Sequence, residues 1–135
     1  MKDEAAPGVA RLLLVDDYPD ALELLALLLE QSGYSVDTAR TGADAIAQAE
    51  KHTPQLAILD VQLPDMTGLD VARELRRRAE TSAMPMIALT GRSSPQDTEE
   101  ALQAGINAVF VKPCEPAELL ATIKRMLGLV STPLS

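Results

Sequence analysis

Side chains able to do chemistry stand at the ends of four short apolar runs of the sequence. Asp16 and Asp17 follow one run directly, and Asp60, Thr90 and Lys112 each follow another. Three carboxylates, a hydroxyl and an ammonium group, once together, could bind a hard divalent cation through oxygen and stabilise a phosphoryl group. Such chemistry requires that the fold brings the four ends to one place.

A purely structural role is the alternative for each aspartate. An aspartate after a strand commonly caps a helix or fills a turn, and Asp17 could begin a helix with Pro19 in its first turn. For the whole set this explanation is weaker, because clustered carboxylates repel one another unless a positive charge compensates. Magnesium would compensate, since it accepts a couple of carboxylates, keeps water ligands and binds phosphate oxygens. Lys112 adds a further positive charge.

Five short aliphatic runs alternate with longer segments of helical spacing, which predicts an α/β protein with a doubly wound parallel sheet and helices on both faces. Two of the runs are apolar at every position, as expected of strands buried on both sides. Ligands of such sheets bind beyond the carboxyl ends of the strands. The predicted strands are Leu12–Val15, Tyr34–Thr38, Leu56–Leu59, Met86–Leu89 and Ala108–Val111.

Five helices are predicted from apolar spacing and from capping residues. Gly33 caps the first, Ser94 and Pro95 begin the fourth, and Gly105 ends it. Pro116 opens the fifth, which is expected to end before Gly128. The residues that mark the five helices are Ala21, Leu24, Leu25, Leu28 and Leu29; Ala43, Ile46, Ala47 and Glu50; Leu69, Ala72 and Leu75; Ser94–Gly105; and Leu119, Leu120, Ile123, Met126 and Leu127.

The composition of the 135 residues fits one folded domain with a net charge of −8. This charge argues against binding to nucleic acid or anionic membranes but permits a divalent cation. A single cysteine, Cys114, excludes an internal disulfide and predicts a reducing compartment, the cytoplasm. No signal peptide or membrane span is apparent. Residues 1–10 are expected to form a flexible tail or linker, 11–128 the domain and 129–135 a C-terminal tail.

Over roughly Arg11 to Leu127 the chain resembles the receiver domains of two-component response regulators, of which the chemotaxis regulator is a familiar example. The resemblance implies a flavodoxin-like strand order 2-1-3-4-5. It also implies a signalling domain that catalyses only its own phosphorylation and dephosphorylation. The fragments that carry it are Asp16-Asp17, Asp60–Gly68 (DVQLPDMTG), Ala88–Gly91 (ALTG) and Val111–Pro113 (VKP).

The resemblance assigns a role to each residue of the site. Asp60 would be the phosphoacceptor, and Mg²⁺ would be bound directly by Asp17 and Asp60 and through water by Asp16. The backbone carbonyl of Gln62 would complete the protein ligands. Thr90 would donate a hydrogen bond to the phosphoryl group, and Lys112 would form an ion pair with it.

The resemblance also implies partners and a switch. The phosphodonor would be a histidine kinase or histidine phosphotransfer protein, and a downstream protein target would read the surface of helix four, strand five and helix five. Val109 stands where receivers often carry a switching aromatic residue, and strand alternation predicts that Phe110 faces the other side of the sheet. Arg92 lies near the expected path of hydrolytic water. The Lys112–Pro113 bond is predicted to be cis.

Two other functions fit the sequence less well than a receiver does. A magnesium-dependent phosphatase of the haloacid dehalogenase type needs a second aspartate two residues after its nucleophile, where this chain has Gln62. A dinucleotide-binding domain needs a glycine-rich turn after strand one, which is absent. Both a stand-alone regulator and the receiver of a hybrid histidine kinase remain open, and no attached output domain is expected.

Three further features are expected to serve the structure only. His52 is predicted to be a solvated surface residue. Cys114 is predicted to be a semi-buried small residue rather than a redox switch. The arginines Arg76–Arg78 are predicted to form a solvated helix face.

Overall fold

The computed structural model describes residues 9–91 and 94–131, with side chains as far as residue 128. The strands are β1 Arg11–Val15, β2 Ser35–Ala39, β3 Leu56–Asp60, β4 Met86–Thr90 and β5 Ala108–Val111. Each predicted strand is present within one residue of its expected bounds. The five strands are all parallel and lie in the order β2-β1-β3-β4-β5, which confirms the predicted architecture.

Both faces of the sheet are covered by helices, namely α1 Pro19–Gln31, α2 Gly42–Lys51, α3 Gly68–Arg76, α4 Pro95–Gln103 and α5 Pro116–Ser131. A separate apolar core therefore lies on each side of the sheet. Alternation along β5 places Val109 against the core under α2, α3 and α4, and Phe110 against the core under α1 and α5, as predicted. A short 3₁₀ helix, Ala79–Thr81, precedes β4.

The buried sides of α1 and α2 differ in part from the residues whose spacing predicted these helices. Leu22 and Leu29 are buried in α1, whereas Leu24 is 62% exposed. In α2, Ala45 and Ala49 are buried, whereas Ala43 and Ala47 are exposed and Ile46 is half-buried. α1 carries leucines, and α2 carries alanines, on several sides. Several rotations of each helix about its axis would therefore direct an apolar stripe toward the sheet. Contact with β1 and β2 selects among these rotations.

Arg76 was wrongly predicted to lie on a solvated face. Its Nη1 donates to the Thr81 carbonyl at 3.1 Å, and its Nη2 donates to the Gly105 carbonyl at 2.7 Å. Nη2 also donates to Asn107 Oδ1 at 3.1 Å. Arg76 therefore joins the end of α3 to the turn between α4 and β5. Arg77, by contrast, is exposed, as predicted.

The surroundings of His52 also differ from the prediction. His52 is half-buried, and its Nε2 is enclosed without a hydrogen-bond partner among the described residues. The chain leaves α2 in an extended conformation at His52. Cys114 is half-buried, as predicted, and burial raises the pKa of its thiol.

Capping residues were predicted correctly at both ends of α4. Ser94 and Asp97 form a capping box, and Gly105 has a φ of 103°. Gly128, however, does not end α5, which continues to Ser131. A single glycine costs a helix only about 1 kcal/mol, and no proline follows before Pro133. The predicted tail from residue 129 therefore begins inside this helix, and residues 1–8 and 132–135 lie outside the described residues.

Residues near both ends of the described chain lie at the amino edge of the sheet. Val9 and Ala10 line a shared cleft with Leu127 and Gly128. The Ala10 carbonyl accepts a hydrogen bond from Ser35 at the start of β2. No helix among the described residues is long and apolar enough to cross a membrane.

Candidate functional site

The three aspartates converge at the carboxyl edge of the sheet. β1 and β3 are neighbours, with Val15 opposite Leu59, so the residues that follow them lie side by side. Carboxylate oxygens of Asp16, Asp17 and Asp60 all lie within 4.8 Å of one another. Asp16 is 4% exposed and Asp60 6% exposed, whereas Asp17 is open to solvent.

Lys112 reaches this cluster from the end of β5. Its Nζ donates to Asp16 Oδ2 at 3.1 Å and to Asp60 Oδ2 at 3.2 Å. Burial lowers the pKa of Lys112, but the hydrogen bond to Asp16 and the charge of Asp60 outweigh it, so that the pKa is raised. The Lys112–Pro113 peptide bond is cis, as predicted. One positive charge thus bridges two of the carboxylates.

Asp60 is nearly buried, and both of its carboxylate oxygens accept hydrogen bonds. Its Oδ1 accepts a hydrogen bond from the Gln62 amide at 3.2 Å, while its Oδ2 faces Lys112. Burial raises the pKa of Asp60 above its usual value, although the Gln62 amide and the Lys112 charge act in the opposite direction. The Asp16 carboxylate is held in turn by the Tyr18 amide, which donates to its Oδ1 at 3.0 Å.

Gly68 sets the distance between α3 and the strand that carries Asp60. The Gly68 amide donates to the Val61 carbonyl at 2.7 Å. A Cβ atom at Gly68 would lie 2.2 Å from the backbone oxygen of Asp60, which no side chain tolerates. Glycine is therefore required here for α3 to begin directly beside β3.

Asp65, in the loop between β3 and α3, is a positioning residue that the sequence did not reveal. Its Oδ1 accepts from the Gly42 amide at 2.8 Å, and its Oδ2 accepts from the Ala43 amide at 2.9 Å. These hydrogen bonds hold the pKa of Asp65 below its usual value. The loop that follows Asp60 is thus fastened to the first turn of α2. No local pattern connects two segments more than 20 residues apart.

Thr90 ends β4 at the same edge, because Asp60 pairs with Leu89 in the register of β3 and β4. The Thr90 carbonyl accepts a hydrogen bond from the Lys112 amide at 2.7 Å, which fixes β5 beside it. Every residue predicted for the site therefore lies at this edge. Arg92, the residue expected near a hydrolytic water, lies outside the described residues.

The arrangement fits a hard divalent cation. All three candidate side-chain ligands offer carboxylate oxygens, and two of them are nearly buried, where unpaired negative charge is costly. Lys112 compensates only part of that charge. Among the described residues, no cysteine or histidine belongs to this cluster, so the site lacks the soft ligands that zinc and copper prefer.

Comparison with known proteins agrees with this geometry. The sequence model of the response regulator receiver domain matches residues 12–124. The protein PilH of Pseudomonas aeruginosa is 34% identical over 120 residues, which cover 89% of this chain and 99% of PilH. Several curated relatives are longer, and the chain spans about half the length of the transcriptional regulators TcrX and KdpE of Mycobacterium tuberculosis.

Solved structures show the same fold. The chemotaxis protein CheY4 of Vibrio cholerae has a TM-score of 0.85 at 33% identity, over 88% of this chain and 99% of that one. The receiver domain of the sensor histidine kinase PA1611 from Pseudomonas aeruginosa, which holds a magnesium ion in its active-site cleft, has a TM-score of 0.82 at 32% identity, over 90% of this chain and 99% of that one.

These findings decide between the functions weighed from the sequence. They match a signalling domain of two-component systems, and they do not support the haloacid dehalogenase-type phosphatase. With the acidic cluster, Lys112 and Thr90 at one edge of a 2-1-3-4-5 sheet, the chain belongs to the family of response regulator receiver domains.

Proposed function

We propose that Asp60 accepts a phosphoryl group from a phosphohistidine of a partner protein. The observation that carries this proposal is the convergence of Asp60, Asp16 and Lys112 in one partly buried, hydrogen-bonded cluster. In the transfer, an Asp60 carboxylate oxygen forms a bond to phosphorus as the bond between phosphorus and the histidine nitrogen breaks. The electron pair of that bond leaves with the imidazole, which then takes up a proton.

The residues around Asp60 have distinct roles in this transfer. Asp17 and Asp60, with the Gln62 carbonyl, would bind Mg²⁺, and Asp16 would bind it through water. When bound, Mg²⁺ supplies charge that stabilises the phosphoryl oxygens. Lys112, already within hydrogen-bond distance of Asp60 Oδ2, would pair with a phosphoryl oxygen. The magnesium reported for the PA1611 receiver supports this ligand choice.

Thr90 would change its position when Asp60 is phosphorylated. Its hydroxyl would donate a hydrogen bond to the phosphoryl group, and this movement would shift the loop that leads into α4. The phosphoryl group can shift this equilibrium only by its differential affinity for the two positions of Thr90. We propose that a downstream protein reads the resulting change on α4, β5 and α5.

The partner class follows from the family. A histidine kinase or a histidine phosphotransfer protein would supply the phosphoryl group, and the domain would act on no separate substrate. Relatives include regulators of similar length, such as PilH, and receivers of sensor histidine kinases, such as PA1611. Both contexts are compatible with this chain.

The proposal is tested by phosphorylation with acetyl phosphate and Mg²⁺, followed by intact mass measurement. The wild-type protein should gain one phosphoryl group, and Asp60→Asn should gain none. Asp70→Asn, which alters an exposed carboxylate on α3, is the control and should be labelled like the wild type. Equal labelling of Asp60→Asn would assign the modification to another residue.

A further inference from the structure

A cleft of about 370 Å³ opens between α3 and α4, beside Thr90. This volume lies within the range of roughly 300–1,000 Å³ that is usual for ligand sites. Its floor is apolar and is formed by side chains from the sheet and both helices, namely Val61, Leu69, Ala88, Ala101 and Val109.

The small size of its floor residues leaves the cleft open. Ala88 and Val109 are neighbours across β4 and β5, and both point to the α3–α4 side of the sheet. Ala101, on the overlying helix, is 3% exposed and also carries only a methyl group. Val109 occupies the position expected to hold a larger aromatic side chain. An apolar group from outside could therefore rest on this floor.

The rim of the cleft is acidic. Asp97 and Glu100 line it from α4, and both are exposed. The whole of α4, with the sequence PQDTEEALQ, contains three acidic residues and no basic residue. The described side chains that line the cleft include no lysine or arginine. An occupant whose apolar tip is flanked by positive charge would match both the floor and the rim.

We propose that this cleft docks a basic segment of a partner protein, which inserts one apolar side chain between α3 and α4. A polypeptide fits better than a free small molecule, because the mouth is open and a small ligand is normally buried over most of its surface. A side chain projected from a partner needs only its tip enclosed, as anchor residues at protein interfaces are. Docking requires neither metal nor phosphate, so it stands apart from the phosphoacceptor role of Asp60.

The test is a ¹³C-methyl NMR titration of the full, unphosphorylated chain with three peptides. Acetyl-Lys-Phe-Lys-amide should shift the methyl signals of Leu69, Ala101 and Val109 saturably. Acetyl-Glu-Phe-Glu-amide lacks the charge match, and acetyl-Lys-Ala-Lys-amide lacks the apolar anchor. Each should bind about tenfold more weakly or worse. Equal binding of the Lys-Ala-Lys peptide would show that the peptide is held only by non-specific attraction between opposite charges, and would overturn the proposal.

Three variants locate the site. Val109→Phe should fill the cleft and abolish the shifts at Leu69 and Ala101. Glu100→Gln, an exposed change that spares the core, should weaken the Lys-Phe-Lys peptide about threefold or more. Glu99→Gln removes the same charge from the same helix but not from the rim, and should bind like the wild type. If Glu99→Gln weakens binding as much as Glu100→Gln, or if Val109→Phe binds unchanged, the cleft is not the site.

Discussion

The two aspartates that follow β1 have different surroundings. Asp16 is nearly buried and accepts hydrogen bonds from the Tyr18 amide and from Lys112. Asp17 is exposed at the rim of the same cluster. A cation that approaches from solvent can therefore reach the Asp17 carboxylate without displacing the hydrogen bonds of Asp16.

Neutralising Asp17 should weaken Mg²⁺ binding more than neutralising Asp16. Asp17→Asn removes a proposed direct ligand, and a loss of more than about tenfold in affinity is expected, since even outer-shell changes cost 10–100-fold in many sites. The measurement is a calorimetric titration of the unphosphorylated protein with MgCl₂, with Asp70→Asn as the control. An unchanged affinity of Asp17→Asn would contradict the proposed order of the ligands.

The residues of the site could be predicted because each follows a strand, and parallel strands bring their carboxyl ends to one edge. Asp16, Asp60 and Lys112 were found in this way. The role of Asp65 was not found, because its partners are backbone amides of α2. Every residue type except proline has such an amide, so the side chains at Gly42 and Ala43 do not predict the contact. Arg76 was misjudged for the same reason, since its acceptors include the backbone carbonyl groups of Thr81 and Gly105.

Helix rotation limits sequence prediction at the scale of elements. The bounds of the strands and the caps of α4 were predicted closely, because turn residues and apolar runs are local signals. The inner face of α1 was not, because Leu24 and Leu22 are equally apolar and only contact with the sheet distinguishes them. Leu24 and Leu27 are exposed on the outside of α1.

Asp65 links the loop after Asp60 to α2, and this link should depend on pH. The two amide hydrogen bonds hold the pKa of Asp65 below its usual value, so they stabilise the folded protein while the carboxylate is ionised. Their contribution is complete above the unfolded-state pKa of about 3.9 and is lost as the pH falls through the lower folded-state value.

Urea unfolding of Asp65→Asn should show this dependence. The variant should be less stable than the wild type at pH 6, and the difference should shrink as the pH falls below about 4. Glu99→Gln, an exposed change on α4, should follow the wild type throughout. A constant difference between Asp65→Asn and the wild type from pH 6 to pH 3 would mean that ionisation of Asp65 is not what stabilises the link.

Arg76 and Arg77 provide a matched pair for the joint between α3 and the α4–β5 turn. Arg76→Met keeps the apolar stem but leaves the Gly105 carbonyl without its donor, and should lower the free energy of unfolding by about 2 kcal/mol. Arg77→Met removes one exposed ion pair with Glu74 and should cost less than about 0.5 kcal/mol. Thermal and urea unfolding measure both, and similar losses would show that Arg76 acts only as a surface charge.

At the scale of the whole molecule, the signal is expected to leave through α4. Val109 offers little bulk to move, so the response to phosphorylation should come from Thr90, the loop after it and α4. Amide exchange with and without beryllofluoride, a phosphoryl mimic, should change most over residues 90–105, with Val109 little altered. A response confined to α2 and α3 would show that the signal leaves by another face.

The cleft shared by Val9, Ala10, Leu127 and Gly128 has a consequence for how such a domain can be used in longer proteins. Residues 9 and 10 and residues 127 and 128 lie at the amino edge of the sheet, whereas Asp60 lies at the carboxyl edge. A segment that continues from either of these positions therefore starts at the edge opposite the proposed phosphoacceptor pocket. This placement is consistent with relatives in which the matching region is only about half of a longer protein.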